Sequence, residues 1–179
     1  MATFTHALGT SELVRRPLSN ADLLLAWDAA DQLLLECFTG QAPNAAKVLV
    51  VNDSFGALAV ALNNSEVTSW SDSRTAHLAT EINLAANSGR TVRMLRSTEQ
   101  PDAHYDAVLW RVPRSMDLLR WQAHALHAVL TPGTKIWAGG MDKHLPDRTL
   151  DVLRQMGETQ VLPGKKKAHV FAEIGRAHV

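Results

Sequence analysis

The chain is poor in several features that mark particular classes of protein. Among 179 residues there is one cysteine, Cys37, which excludes an internal disulfide framework and a cysteine-based zinc site. No charge of either sign is in excess: 18 Lys+Arg stand against 18 Asp+Glu. A uniformly basic nucleic-acid binder is thereby excluded, although a local basic patch is not. No apolar run approaches the roughly 18–20 residues of a membrane span. The polar N-terminus lacks the basic-then-apolar order of a secretory signal, so no membrane partner is expected and the cytoplasm is the expected location. The seven prolines are nowhere adjacent.

What remains is 46% apolar and 20% charged, sufficient for the core of one domain of this length. Residues 47–51 form a continuous β-branched and Leu run, the pattern of a strand buried on both faces of a parallel sheet. A turn at 52–56 and a short helix through Leu62 follow. Strands are predicted at 67–71, 91–95, 106–110 and 134–138. Helices are predicted over Arg74–Asn87, 116–130 and 147–156, the second stopped by Pro132-Gly133. Residues 158–162 and 168–172 read as a closing antiparallel pair around Pro163-Gly164. Ahead of the first strand, Asn20 is placed to cap a helix over 20–38 with Leu23, Trp27, Ala30, Leu34 and Phe38 on its core face. Gly40 and Pro43 break it. This alternation predicts an α/β domain with a mostly parallel, doubly wound sheet over 20–172, preceded by an N-terminal segment 1–19.

Residues 174–179, Ile-Gly-Arg-Ala-His-Val, fit no predicted element. They resemble the translation of a sequencing-library adapter, ATC GGA AGA GCA CAC GTC, whose preceding AG completes a Glu codon in agreement with Glu173. Residues 173–179 are therefore expected to be a sequence artefact and are set apart from the fold.

Open α/β sheets bind ligands beyond the carboxyl ends of their strands, at the switch point. Three loops are placed there. Asn52-Asp53-Ser54-Phe55-Gly56 offers a single glycine, Gly56, where close backbone approach to a nucleotide normally takes several; it serves as a cradle or simply as a turn. Asp72 is placed to accept ribose hydroxyls or to cap the following helix. Arg111 and Arg114 flank Pro113 and suit phosphate or carboxylate, or belong to a solvated loop. Lys165, Lys166 and Lys167 form the sharpest basic run; with Arg111, Arg114 and Arg15-Arg16 they would line a phosphate track. His124 and His127 stand three apart on one helix, as a metal pair or an exposed or interface pair. No third ligand is assignable, so no metal is expected.

The stretch from Asp72 to Gly89, a carboxylate followed by a helix with small residues and ending Asn-Ser-Gly, is similar to the pattern after strand two of class I S-adenosylmethionine-dependent methyltransferases. Leu130-Thr131-Pro132-Gly133-Thr134 looks like the segment before their fifth strand. Asn52-Asp53-Ser54-Phe55-Gly56-Ala57-Leu58, Val112-Pro113-Arg114 and Lys165-Lys166-Lys167-Ala168 resemble the N-terminal half of the ribosomal RNA large subunit methyltransferase G family. That family and its small-subunit relative, methyltransferase C, modify guanine N2.

The resemblance covers roughly residues 18–172. It implies a Rossmann-like class I methyltransferase fold and a tandem protein, in which a C-terminal half absent from this chain binds the methyl donor and does the chemistry. The N-terminal half would be a degenerate copy that supports folding and engages ribosomal RNA. The departures agree with that half. The Asn/Asp-Pro-Pro-Phe/Tyr motif that grips the target guanine is missing, and Arg111-Val112-Pro113-Arg114 stands in its place. No catalytic residue is therefore expected. Asp53, Gly56 and Asp72 would be relics of a donor pocket, with no donor bound by this chain. Arg111, Arg114, Lys165, Lys166 and Lys167 would face RNA. Two other readings stay open: a free-standing nucleotide- or S-adenosylmethionine-binding domain with a divergent loop, and a protein-interaction domain.

Overall fold

The structure is a computed structural model that describes residues 1–17, 24–102 and 104–176. A two-stranded hairpin, β1 (Ala2–His6) and β2 (Gly9–Leu13), precedes α1 (Ala29–Gln41). Then follow β3 (Lys47–Val51), α2 (Ala57–Ala61), β4 (Glu66–Ser71), α3 (Arg74–Asn87), β5 (Arg93–Arg96) and β6 (Ala107–Arg111). The chain continues through α4 (Met116–His127), β7 (Lys135–Met141), a 3-10 turn (Asp142–His144), α5 (Thr149–Met156), β8 (Gly157–Val161) and β9 (Ala168–Arg176).

The seven strands from β3 onward form one sheet in the order β5-β4-β3-β6-β7-β9-β8. The first five are parallel, and β9 runs antiparallel to both β7 and β8. The chain starts at the centre, steps outward to β5, then crosses to β6, so the topological switch lies between β3 and β6. Alternation along β3 builds the two layers. Val48 and Val50 pack with α1 and α2 on one face, while Leu49 and Val51 pack with α4 on the other. This is the doubly wound sheet with a terminal antiparallel pair that the sequence pattern predicts.

Three expectations are corrected. The helix expected from Asn20 begins instead at Ala29, and Asn20 and Leu23 lie outside the described residues. Trp27 stacks on Phe4, ring centroids 4.9 Å apart, before the helix starts. Asp28 provides the cap: its carboxylate accepts from the Ala30 and Asp31 amides while Asp31 accepts from the Asp28 amide. Second, the described residues of the N-terminal segment, 1–17, pack against the domain. Phe4 and Leu13 are buried in the same core as Leu34 and Val48, and α3 clasps β2 and its exit with amide side chains. Asn83 accepts from Val14 N and donates to Val14 O; Asn87 does the same with Glu12. Third, β9 extends through Arg176, which pairs with Gly157, so residues 174–176 do form part of an element. Strand pairing uses backbone groups that any sequence offers.

Candidate functional site

The loops after β3, β4 and β6 meet at the switch point, and a web of side chains fills its centre. Asn52 adopts a left-handed conformation, φ 62°. Its amide donates to Arg111 O at 2.9 Å and exchanges two 2.8 Å hydrogen bonds with the amide of Gln122. Gln122 is buried and also accepts from Trp110 Nε1. This pair ties the β3 loop to α4 across the place where strand order reverses.

Next to it, Asp53 is buried and turned inward. Its carboxylate accepts from Gly56 N at 3.1 Å and Ala59 N at 2.9 Å, taking up donors at the start of α2. Burial pushes its carboxyl above the usual range, partly offset by those backbone bonds. Gly56 has φ +85°, and a Cβ there would lie 2.8 Å from Thr80 Cα. Its bare face therefore serves the close approach of α3.

Arg111, at the end of β6, does not project outward as an RNA-facing side chain. It reaches back to the N-terminus of α1, donating to Asp28 Oδ2 at 2.8 Å and Asp31 Oδ1 at 3.1 Å, and Nη1 also bonds Asp28 Oδ1. Its side chain is only 17% exposed. Burial pushes the Asp31 carboxyl up to about 7, and the neighbouring Asp28 and Asp53 reinforce this while Arg111 opposes it. For the less buried Asp28, burial is outweighed by the hydrogen bonds and charge of Arg111, which hold it below the ordinary range. Asp28 and Asp31 thus engage both terminal nitrogens of the guanidinium, and Asp53 adds its charge nearby.

Outside this cluster a cleft of about 460 Å³ opens between the loops, lined by Arg15, Arg16, Ser54, Asp72, Thr75 and Pro113 among others. Asp72 is exposed on its wall. The cap of α3 is Ser73, whose hydroxyl accepts from Ala76 N, so the capping alternative for Asp72 is not taken up. Arg15 lies over the ring of Phe55, 4.8 Å from its centroid.

The remaining basic candidates are exposed at the same carboxyl edge. Arg114 meets His144 at 2.8 Å, beside Lys143 in the turn after β7. Lys165, Lys166 and Lys167 turn into β9, whose first residue, Ala168, pairs with Met141 at the carboxyl end of β7. Lys166 and Lys167 have positive φ, and Lys165 pairs with Glu36 at 3.0 Å. Antiparallel closure of the sheet thus brings the lysine run to the edge that carries Arg114.

The residues do not fit the cradle that S-adenosylmethionine needs. Asp53 takes up the Gly56 amide and the Ala59 amide in the first turn of α2, the one loop glycine faces Thr80, and the Phe55 ring carries the Arg15 guanidinium. His124 and His127 sit in the last turn of α4. They line a cleft against α5 with Arg120, Gln155 and Met156. Among the described residues no group of three possible metal ligands occurs, and no helix is long and apolar enough to cross a membrane. The Asn52–Gln122 pair and the Asp28 cap were not marked by the sequence pattern. Asp at 28 with Asp three residues later is a capping signal that could have been read there.

The fold is shared with solved methyltransferases. The T. thermophilus 16S rRNA N2 methyltransferase (RsmC), solved in complex with AdoMet and guanosine, superposes with a TM-score of 0.76 at 18% identity. The match covers 98% of this chain and 50% of that one. A ribosomal protein L11 methylase from Lactobacillus delbrueckii subsp. bulgaricus gives 0.66 at 18% identity, covering 80% and 77%. At these identities the likeness concerns the fold, a class I S-adenosylmethionine-dependent methyltransferase fold. In sequence, the chain is 43% identical over 166 residues to the ribosomal RNA large subunit methyltransferase G of Stutzerimonas stutzeri, covering 90% of this chain and 44% of that protein. It is 42% identical over 176 residues to that of Pseudomonas entomophila, covering 96% and 47%. The chain thus spans just under half the length of these relatives. The family model described as the RLMG N-terminal domain matches residues 1–175, and the chain belongs to that family.

Proposed function

We propose that this chain is the non-catalytic, RNA-engaging half of a cytoplasmic ribosomal RNA guanine-N2 methyltransferase. In this reading methyl transfer from S-adenosylmethionine is done by a C-terminal half outside these residues, and this half binds no methyl donor. One observation carries the reading. Arg15, Arg16, Arg114, Lys143, Lys165, Lys166 and Lys167 are distributed along one edge of the sheet, although the whole chain has no net charge. A cationic edge on a neutral domain suits contact with a phosphate backbone. The filled switch point supports the absence of donor binding, and the lack of adjacent prolines supports the absence of a base-gripping motif.

The test is fluorescence anisotropy with a ribosomal RNA fragment at increasing salt. Affinity is expected to fall steeply between 50 and 200 mM salt, roughly tenfold or more for several phosphate contacts. Replacing Lys165, Lys166 and Lys167 with Ala should flatten that slope. Affinity independent of salt, or unaltered by the triple substitution, would remove the reading. Tight, stoichiometric binding of S-adenosylmethionine would overturn its non-catalytic part.

A further inference from the structure

The cleft beside the filled switch point has a chemistry that the basic edge alone does not account for. We propose that it holds one phosphate-bearing nucleotide, with Arg15 and Arg16 on the phosphate. The proposal deepens the RNA-engaging reading and rests on it where the nucleotide belongs to a strand.

The volume, about 460 Å³, is within the usual range for a small-molecule site. Neither arginine is paired with a carboxylate among the described residues. Arg15 rests on Phe55 and on the Leu25 carbonyl at 3.5 Å. Arg16 Nε is shielded from solvent with no hydrogen-bond partner among the described residues, and a buried donor of that kind calls for an acceptor. Ser54 and Thr75 line the same space, the Thr75 hydroxyl bonded to that of Ser73. The wall formed by the start of α3 has no acid in its first turn, which keeps the local field favourable to an anion. Among the described residues the one carboxylate that lines the cleft is Asp72; it repels a bare phosphate but accepts a neutral hydroxyl, so a nucleotide suits the cleft better than inorganic phosphate. Two guanidiniums at the mouth repel a ligand whose reactive centre is a sulfonium, and they attract a phosphate.

The experiment follows backbone amide shifts of Ser54, Thr75 and Ala76 by NMR in the full chain. AMP, a ten-nucleotide single-stranded RNA and S-adenosylmethionine are titrated separately. AMP and RNA are expected to move these amides, and S-adenosylmethionine to leave them. Arg15→Gln with Arg16→Gln should weaken both ligands at least tenfold. Ser54→Asp, an exposed change that spares the core, should do the same and guards against a folding defect. RNA that binds without moving these amides overturns the cleft proposal and leaves the RNA-engaging reading in place. AMP that moves them while RNA fails to bind supports the cleft as a free-nucleotide site and removes that reading. S-adenosylmethionine that moves them and displaces AMP overturns the proposal.

Discussion

Replacing Arg111 with Met separates a structural guanidinium from an RNA contact. The side chain is 17% exposed, and its partners Asp28 and Asp31 are 35% and 10% exposed. Removing one member of a buried ion pair costs about 3–5 kcal/mol, because the remaining charge is stranded away from water. Asp28 can regain water, and Asp31 can take up a proton, so the lower end, about 3 kcal/mol, is expected. A solvated loop arginine would cost no more than about 1 kcal/mol. With a urea dependence of about 2 kcal/mol/M for a domain of this size, the unfolding midpoint should drop by about 1.5 M. Fluorescence of the buried Trp110 and Trp137 reports the transition. Adding Asp31→Asn should recover part of the loss, since one fewer carboxylate is then left unpaired. A loss below about 1 kcal/mol, combined with weakened RNA binding, would refute the structural role.

Further outcomes follow from the same web. Burial raises the Asp31 carboxyl to about 7 against the opposing charge of Arg111. Its contribution to stability is therefore complete below its unfolded value near 4, declines as pH rises, and is lost above about 7; urea midpoints from pH 5 to pH 8 should decline more in the parent than in Asp31→Asn. Gly56→Ala forces a side chain into a left-handed backbone and against Thr80 Cα, a loss of about 2–5 kcal/mol, whereas a glycine kept only for a ligand would tolerate Ala with stability intact. Asn83→Ala leaves Val14 N, Val14 O and Phe55 O without their partner; about 2–3 kcal/mol should be lost, with faster hydrogen exchange at the Val14 amide, and unaltered exchange there would contradict the clasp.

The limits of α3, Arg74–Asn87, coincide with those predicted from its periodicity, and β3 occupies the predicted residues 47–51. Such elements are legible because the hydrophobic pattern repeats over a few residues, and because Ser73 and Gly89 mark the ends locally. The doubly wound sheet follows from the same alternation, whereas the strand order is set by the pairing itself. β7 runs to Met141, beyond the predicted 134–138, because its last residues are held by pairing with β9, a partner distant in sequence.

The site was legible only in outline. The chain itself marks three loops at the carboxyl edge, a loop with one glycine, and a lysine run. What each residue does there was decided in three dimensions. Arg111 looks like an exposed loop cation until it meets Asp28, 83 residues earlier. Asn52 finds Gln122 across 70 residues, and Asn83 finds Val14 across 69. A local pattern records whether a side chain is apolar or charged and how often that recurs. It carries no record of which distant polar group will share its burial, and that sharing turned a cation of the expected RNA surface into a buried strut.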